Sequence, residues 1–71
     1  MDTISLTGWM QSAGFTDNTR AALLAAAGTG WIINTYADPT ADARENCGWE
    51  YAAEVAAEDP SLVYVTRTVQ Q

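Results

Sequence analysis

The sequence predicts a small α+β protein, or a small α/β protein, made of one domain over residues 1–71 with its elements in the order α-α-β-α-β. Three observations support this fold class. An apolar stripe at helical spacing opens the chain, Ala-rich segments with helix start and stop signals follow, and two β-branched segments are bounded by turn residues. With 48% apolar residues in 71, the composition is that of a globular domain with a small core.

The first predicted element is a helix over residues 4–13. Its apolar residues recur at positions i, i+3, i+4 and i+7, and Gly14 follows where a helix commonly ends. The apolar residues at positions 4 and 6 also alternate with polar ones, which leaves a short strand open as an alternative at this point. The stripe consists of Leu6, Trp9, Met10 and Ala13.

The second predicted helix begins at Thr16 and has its body over residues 18–27. Thr16 can accept a hydrogen bond from the first turn, and Asp17 adds a negative charge where the helix dipole favours one. The body consists mainly of Ala and Leu, which are strong helix formers. Two glycines, Gly28 and Gly30, then mark its end.

A strand, a long helix and a second strand are predicted for the rest of the chain. Residues 31–36 and 62–69 are rich in β-branched and aromatic residues, as strands are. Residues 39–58 predict a helix capped by Asp38, with proline at its first position. Because the connections at both helix ends are short, a parallel β-α-β crossover is expected, giving a two-stranded sheet open to extension by a dimer or a partner. An antiparallel pair is the alternative if the helix is broken at Gly48.

Three glutamates form the most informative pattern in the sequence. Glu50, Glu54 and Glu58 are spaced four residues apart, so a helix brings them onto one face, opposite its apolar side. Like charges at this spacing destabilise a helix by about 0.2–0.5 kcal/mol per pair. Glu58 also lies near the predicted helix C-terminus, where the dipole disfavours a carboxylate. Local rules broken without compensation are typical of functional sites, although many charged faces are simply solvated.

Charge composition indicates what kind of partner such a face would meet. Nine Asp and Glu stand against three Arg, with no Lys and no His, and the formal net charge is −6. This balance disfavours nucleic acid and anionic membranes and favours a partner protein with a basic surface. We expect the glutamate row to bind that partner, extended by Asp42 and Glu45 and anchored by Trp49, with homodimerisation also open.

Catalysis is not expected from this residue set, and neither is a cofactor. Without His or Lys the chain lacks the usual general base and the Schiff-base nucleophile. Cys47 is the only cysteine, which excludes the usual structural zinc sites and an internal disulfide, and it is expected to be a buried apolar residue. Three acids (Asp38, Asp42 and Glu45) could hold Mg²⁺ or Ca²⁺, but acids at a helix start are what the dipole favours, so no metal is predicted.

One segment resembles the turn and second helix of helix-turn-helix DNA-binding proteins. It comprises Ala13-Gly14-Phe15-Thr16-Asp17-Asn18-Thr19, followed by Leu23, and covers about a quarter of the chain. The resemblance implies a pair of packed helices and, as an alternative function, a transcriptional regulator. A third hypothesis is an antitoxin-like oligomerising module that acts through exposed sheet edges.

In general character the chain resembles the small acidic anti-defence proteins of phages, including anti-CRISPR proteins and anti-restriction mimics. The shared features are small size and an acidic, lysine-free composition. This resemblance implies an inhibitor that occupies the nucleic-acid-binding surface of an effector protein by imitating phosphate charge. It is the leading functional hypothesis, and it implies a cytoplasmic, non-enzymatic protein that does not bind nucleic acid directly.

Overall fold

The computed structural model describes residues 1–36 and 44–68 and has one three-stranded sheet with three helices packed on one of its faces. The coarse α+β class is therefore confirmed. All strand pairs are antiparallel, and the strand order is β1-β3-β2. The elements are β1 (Asp2–Ser5), α1 (Leu6–Ala13), α2 (Thr19–Gly28), β2 (Ile32–Thr35), α3 (Trp49–Glu58), a 3₁₀ turn (Pro60–Leu62) and β3 (Val63–Arg67).

The core lies between the sheet and the helices. Val65 on the central strand β3 lies opposite Ile4 of β1 on one side and Ile33 of β2 on the other. Since side chains alternate along a strand, this row points towards the helices, and Val65 and Ile33 are buried. Helix residues complete the core, mainly Leu6, Trp9, Ala22, Leu23, Ala26, Ala52 and Ala56, together with Trp31. Trp9, from the predicted apolar stripe, and Trp31 are both buried.

Side-chain caps fix where α1 and α2 begin. The backbone N–H of Gly8 donates to Ser5 Oγ at 3.1 Å, and that of Ala21 donates to Asn18 Oδ1 at 3.1 Å. Gly14, with φ of 84°, ends α1 in the left-handed conformation that glycine adopts without cost. The second helix therefore begins three residues later than Thr16, because Asn18 provides the cap.

The predicted element order and the two-stranded sheet were wrong. The chain opens with β1, so the order is β-α-α-β-α-β, and the first helix begins at Leu6 and not at residue 4. The alternative prediction of a short strand at the start of the chain is the one the structure has, over Asp2–Ser5. These four residues are extended because they pair with β3 at the far end of the chain, a tertiary contact that local helix periodicity does not register.

The predicted parallel crossover and the long third helix were also wrong. Asn46 has φ of 56° and Gly48 is extended, so no helix passes through them, and α3 begins at Trp49. The chain before α3 instead continues the sheet beyond β2, because Arg44 and Thr35 exchange backbone hydrogen bonds of 2.8 and 2.9 Å. Strands β2 and β3 are consequently antiparallel. Asp38 and residues 39–43 of the predicted helix lie outside the described residues, as does residue 69 of the last predicted strand.

The shorter third helix changes which of its residues face the core. Tyr51 is 38% exposed, and Gly48, which the sequence predicted inside the helix, precedes it as its N-cap. Ala52 and Ala56 are the buried residues of α3. Within residues 1–36 and 44–68, no helix has both the length and the apolarity to cross a membrane.

Candidate functional site

Glu50, Glu54 and Glu58, which we call the acidic row, all lie on the exposed side of α3. Helix geometry separates neighbours in the row by about 6 Å along the axis. The buried residues Ala52 and Ala56 hold the opposite side of the helix against the core. The face predicted from the spacing is therefore present, although the helix that carries it is half the predicted length.

The termini of α3 make the row electrostatically uneven. Glu50 lies in the first turn, where the dipole favours a carboxylate, whereas Glu58 is the last residue of the helix and no basic residue lies in that turn. Asp59 follows directly and is bound to Ser61, whose hydroxyl lies 2.6 Å from Asp59 Oδ1. This bond and the Ser61 backbone N–H lower the pKa of Asp59, so the helix C-terminus carries two adjacent negative charges.

Beside the row, the start of α2 and the outer side of α3 enclose an open groove of about 550 Å³, which we call the acidic groove. Trp49 and Ala53, both partly buried, form its apolar floor, and carboxylates border it. Two members of the acidic row and one acid from the turn before α2 contribute these carboxylates. The lining consists of Asp17, Asn18, Thr19, Arg20, Trp49, Glu50, Ala53, Glu54 and Ala57.

Arg20 is the one cationic side chain in the acidic groove. Its guanidinium carbon lies 5.2 Å from the centre of the Trp49 ring, within the range of a cation–π contact. Three carboxylates and one guanidinium line the groove, so its formal charge is −2. The predicted anchor Trp49 is thus present at the groove, with one ring face covered by a cation of the same chain.

The other two arginines are also placed on aromatic rings, away from the row. Arg44 lies 4.8 Å from the Tyr51 ring centre, and Arg67 lies 4.3 Å from that of Trp31. Arg67 also forms the single ion pair found among the described residues, with Asp2 at 3.7 Å. Within that part of the chain, no arginine side chain forms an ion pair with the acidic row.

Of the two acids predicted to extend the row, Glu45 is not brought to it. Glu45 is exposed in the segment before α3, close enough to Tyr64 on the sheet to affect its titration. Burial raises the pKa of Tyr64, and Tyr36 and Glu45 add to that shift. Asp42 lies outside the described residues. Asp17 and Arg20 were missed as site residues, because only the packing of α2 against α3 brings them to the row.

Cys47 and the remaining acids do not form a reactive centre in the described residues. Cys47 is 6% exposed, as predicted for an apolar residue, and its N–H donates to the carbonyl of Ile33 at 2.9 Å. Burial raises the pKa of its thiol, which disfavours the nucleophilic thiolate. No group of three or more potential metal ligands is found in residues 1–36 and 44–68, and Asp38 lies outside them.

The segment resembling a helix-turn-helix does form two helices joined by a turn. Gly14 ends α1 and Asn18 caps α2, so the turn of the resemblance is present. Arg20 is the only cation of α2, and it lies on Trp49 in a groove bordered by carboxylates. These surroundings are unfavourable for phosphate, because DNA binding requires several cations that face the DNA backbone.

The acidic groove and the acidic row together offer negative charge beside a partly exposed tryptophan. This combination suits the cationic side chains of a protein partner, since guanidinium and ammonium groups bind both carboxylates and aromatic faces. A comparison with known protein families, curated proteins and solved structures finds no match to this chain.

Proposed function

We propose that this protein is a non-enzymatic interaction module that inhibits a partner by binding the partner's basic, nucleic-acid-binding surface. The binding surface is the acidic row together with the acidic groove. In this respect it acts in the manner of phage anti-defence proteins such as anti-CRISPR proteins. Trp49 serves as the apolar anchor, and the carboxylates meet lysines and arginines of the partner.

The observation that carries this proposal is that no described side chain forms an ion pair with the row. All three arginines of the chain contact aromatic rings, and the one ion pair in the described residues leaves the row untouched. The row therefore keeps repulsion that any lysine within α3 would relieve. A partner that supplies the missing cations turns this repulsion into favourable interaction.

Charge spacing is compatible with imitation of a nucleic-acid strand at reduced density. The row places one carboxylate about every 6 Å along the helix, whereas a DNA strand carries one phosphate about every 3.4 Å of axis. The row thus has roughly half the linear charge density of one strand. Asp17 adds a further charge across the acidic groove, and the tryptophan contributes apolar contact that a phosphate backbone lacks.

The test is affinity capture with matched variants. The wild-type chain is used as bait in a bacterial lysate, captured proteins are identified by mass spectrometry, and the affinity for the captured protein is then measured. Changing all three residues of the acidic row to Gln raises the net charge from −6 to −3. We expect this variant to bind roughly 3- to 160-fold more weakly, because three interface ion pairs are lost at about 0.2–1 kcal/mol each.

A control variant with the same net charge separates the row from the overall charge. Lysines at Gln11, Ala13 and Ala27, all exposed on α1 or α2, also give a net charge of −3. This control should bind the partner nearly as well as the wild type does. Equal binding by the row variant and the wild type would overturn the proposal. A gel shift at low salt with duplex DNA tests the regulator alternative, which requires affinity that falls as salt rises.

A further inference from the structure

A second surface of the molecule differs from the acidic one in its charge and in its exposed apolar area. It is the outer sheet face, the side of the sheet turned away from the helices. Thr66 on β3 pairs with Thr3 of β1 on one side and with Ile32 of β2 on the other. These three residues are each one position along their strand from the core-facing row, so their side chains point to the opposite face. Tyr64, two residues before Thr66 on β3, points to the same face. The outer sheet face comprises Thr3, Ile32, Tyr36, Tyr64 and Thr66.

The outer sheet face exposes apolar and aromatic area. Ile32 is 43% exposed and Tyr36 is 48% exposed, although β-branched and aromatic side chains usually bury much of their surface. The rings of Tyr36 and Tyr64 are stacked, with centres 4.5 Å apart and planes at 22°. These two rings and the Ile32 side chain form a raised apolar surface bordered by threonines.

Polar groups on this side of the sheet are already satisfied or unionised. Asn34 is buried, and its Nδ2 donates to the carbonyl of Ile32 at 3.0 Å and to Thr66 Oγ1 at 3.2 Å. Asn34 Oδ1 accepts from the N–H of Asn46 at 3.1 Å. None of the five residues of the face is Asp, Glu, Lys or Arg, although the exposed Glu45 lies close enough to Tyr64 to affect its titration. The charged strand residues Asp2 and Arg67 occupy the alternate register, on the helix side, where they pair with each other.

Molecular dimensions indicate that no layer of described residues covers this face and that it is large enough for an interface. The shortest extent, 17 Å, accommodates one layer of helices on one sheet and no third layer. The two longer extents, 35 and 29 Å, bound a face of the order of the roughly 800 Å² that each partner contributes to a standard interface.

We propose that the outer sheet face binds the same face of a second copy of this chain, across a two-fold axis. Charge identifies the occupant, because two chains of net charge −6 repel each other wherever their carboxylates approach. The five side chains of the outer sheet face are uncharged and Glu45 lies only at its border, near Tyr64, so two copies meet there with less repulsion than at the acidic row. A two-fold contact needs a self-complementary surface of this kind. The product is a four-layer arrangement with helices outside and two sheets packed face to face.

Other occupants fit this surface less well. A basic protein finds no carboxylate among the five side chains of the face. A single-stranded nucleic acid could stack on the tyrosines, but Arg44 and Arg67 are engaged with rings on the helix side, so phosphates would lack cations. If the proposed function also holds, the dimer presents two acidic rows on opposite outer sides and engages partners bivalently. The dimer itself does not depend on that function.

The test measures mass in solution by sedimentation equilibrium over a range of concentrations. We expect the wild type to approach twice the 7.6 kDa of one chain as concentration rises. Ile32→Glu and Tyr36→Glu, made separately, should remain at one chain's mass with unchanged circular dichroism. The matched control is Leu24→Glu on α2, which adds the same charge at a side chain exposed to 48% and should dimerise like the wild type.

Salt concentration gives a second readout with a defined sign. Added salt screens the repulsion between two acidic chains, so dimerisation should strengthen, whereas binding of the acidic row to a basic partner should weaken. A wild type that stays monomeric up to millimolar concentration at high salt overturns the dimer. So does a dimer that survives Ile32→Glu and Tyr36→Glu, or one that Leu24→Glu dissociates equally. Loss of heterologous partner binding in Ile32→Glu, with a monomeric wild type, would assign the face to that partner instead.

Discussion

The helical side and the sheet side of this molecule expose contrasting surfaces built on one core. On the helical side, Glu50, Glu54 and Glu58 are exposed without an ion-pair partner in the described residues. On the sheet side, Ile32 and Tyr36 expose apolar area with no ionised neighbour among the five residues of the outer sheet face. The contrast teaches that a net charge of −6 is not spread evenly, because a two-layer fold sorts residues by face.

The largest expected effect is that variants of the two surfaces lose different interactions, partner binding in one case and dimerisation in the other. Changing the whole acidic row to Lys should reduce affinity for the captured partner by at least about 100-fold, because attraction at three positions becomes repulsion. The same variant should dimerise at least as well as the wild type, since its net charge becomes zero. Ile32→Glu should show the reverse, with partner affinity retained for each chain and dimerisation lost. Calorimetry measures partner affinity and sedimentation measures dimerisation on the same samples. If both variants lost both interactions, the two surfaces would not be functionally separate.

A smaller effect is expected from Arg20, the cation inside the acidic groove. Arg20→Ala changes the formal charge of the groove from −2 to −3 and uncovers the Trp49 ring, so affinity for a basic partner should rise severalfold. Arg44→Ala is the control, because it also removes an arginine from an aromatic ring, that of Tyr51, but lies outside the groove lining. Binding titrations of both variants compare them directly. Equal gains in affinity would indicate an effect of net charge alone.

A stability measurement tests whether the acidic row is costly to the fold. Glu54→Lys replaces two repulsive pairs at i,i+4 spacing with two attractive ones, so the free energy of unfolding should rise by about 0.8–2 kcal/mol. Partner affinity should fall in the same variant. Urea unfolding at low ionic strength measures the first effect, and the gain should shrink in high salt. A destabilised Glu54→Lys would mean that the row is relieved by contacts within the chain.

The smallest predicted effect concerns alkaline pH and the sheet side. Burial raises the pKa of Tyr64, with Tyr36 adding to the shift, so the phenol stays protonated in the folded chain at a pH where the unfolded chain releases its proton. The unfolded state then binds fewer protons, and the resulting stability is present below a pH of about 10 and is lost as the pH rises through the folded-state pKa. Ultraviolet titration of phenolate should show one delayed tyrosine in the wild type. Tyr36→Phe should bring that titration closer to the ordinary value.

Local sequence patterns were sufficient for α1, α2 and the exposed face of α3. Each of these depends on spacing within a few residues, such as the four-residue repeat of the acidic row, or on a strong stop signal such as Gly14. The burial of Cys47 was also predicted, whereas Trp49 was expected inside a longer helix and is the first residue of α3. Helical periodicity and capping chemistry are properties of neighbouring residues, so a single sequence contains them.

Long-range pairing accounts for what the sequence did not predict. β1 is four residues long and is extended through its contact with β3, about sixty residues away in the chain. The break before α3 depends on Asn46 adopting a positive φ, which asparagine tolerates but which no local pattern requires. For the same reason the acidic groove was missed, because α2 and α3 meet only in the folded chain. The contribution of Asp17 follows from that packing alone.

The position of β3 in the sheet has a consequence for how the chain acquires its structure. β1 and β2 pair with β3 and not with each other, yet β3 is synthesised after both of them. Until residues 63–67 are available, both earlier strands lack the partner that keeps them extended. Folding of the sheet is therefore expected to wait for β3 and to be limited by closure of a loop of about sixty residues. A chain truncated before Val63 should lose the whole sheet, and with it the support for both surfaces.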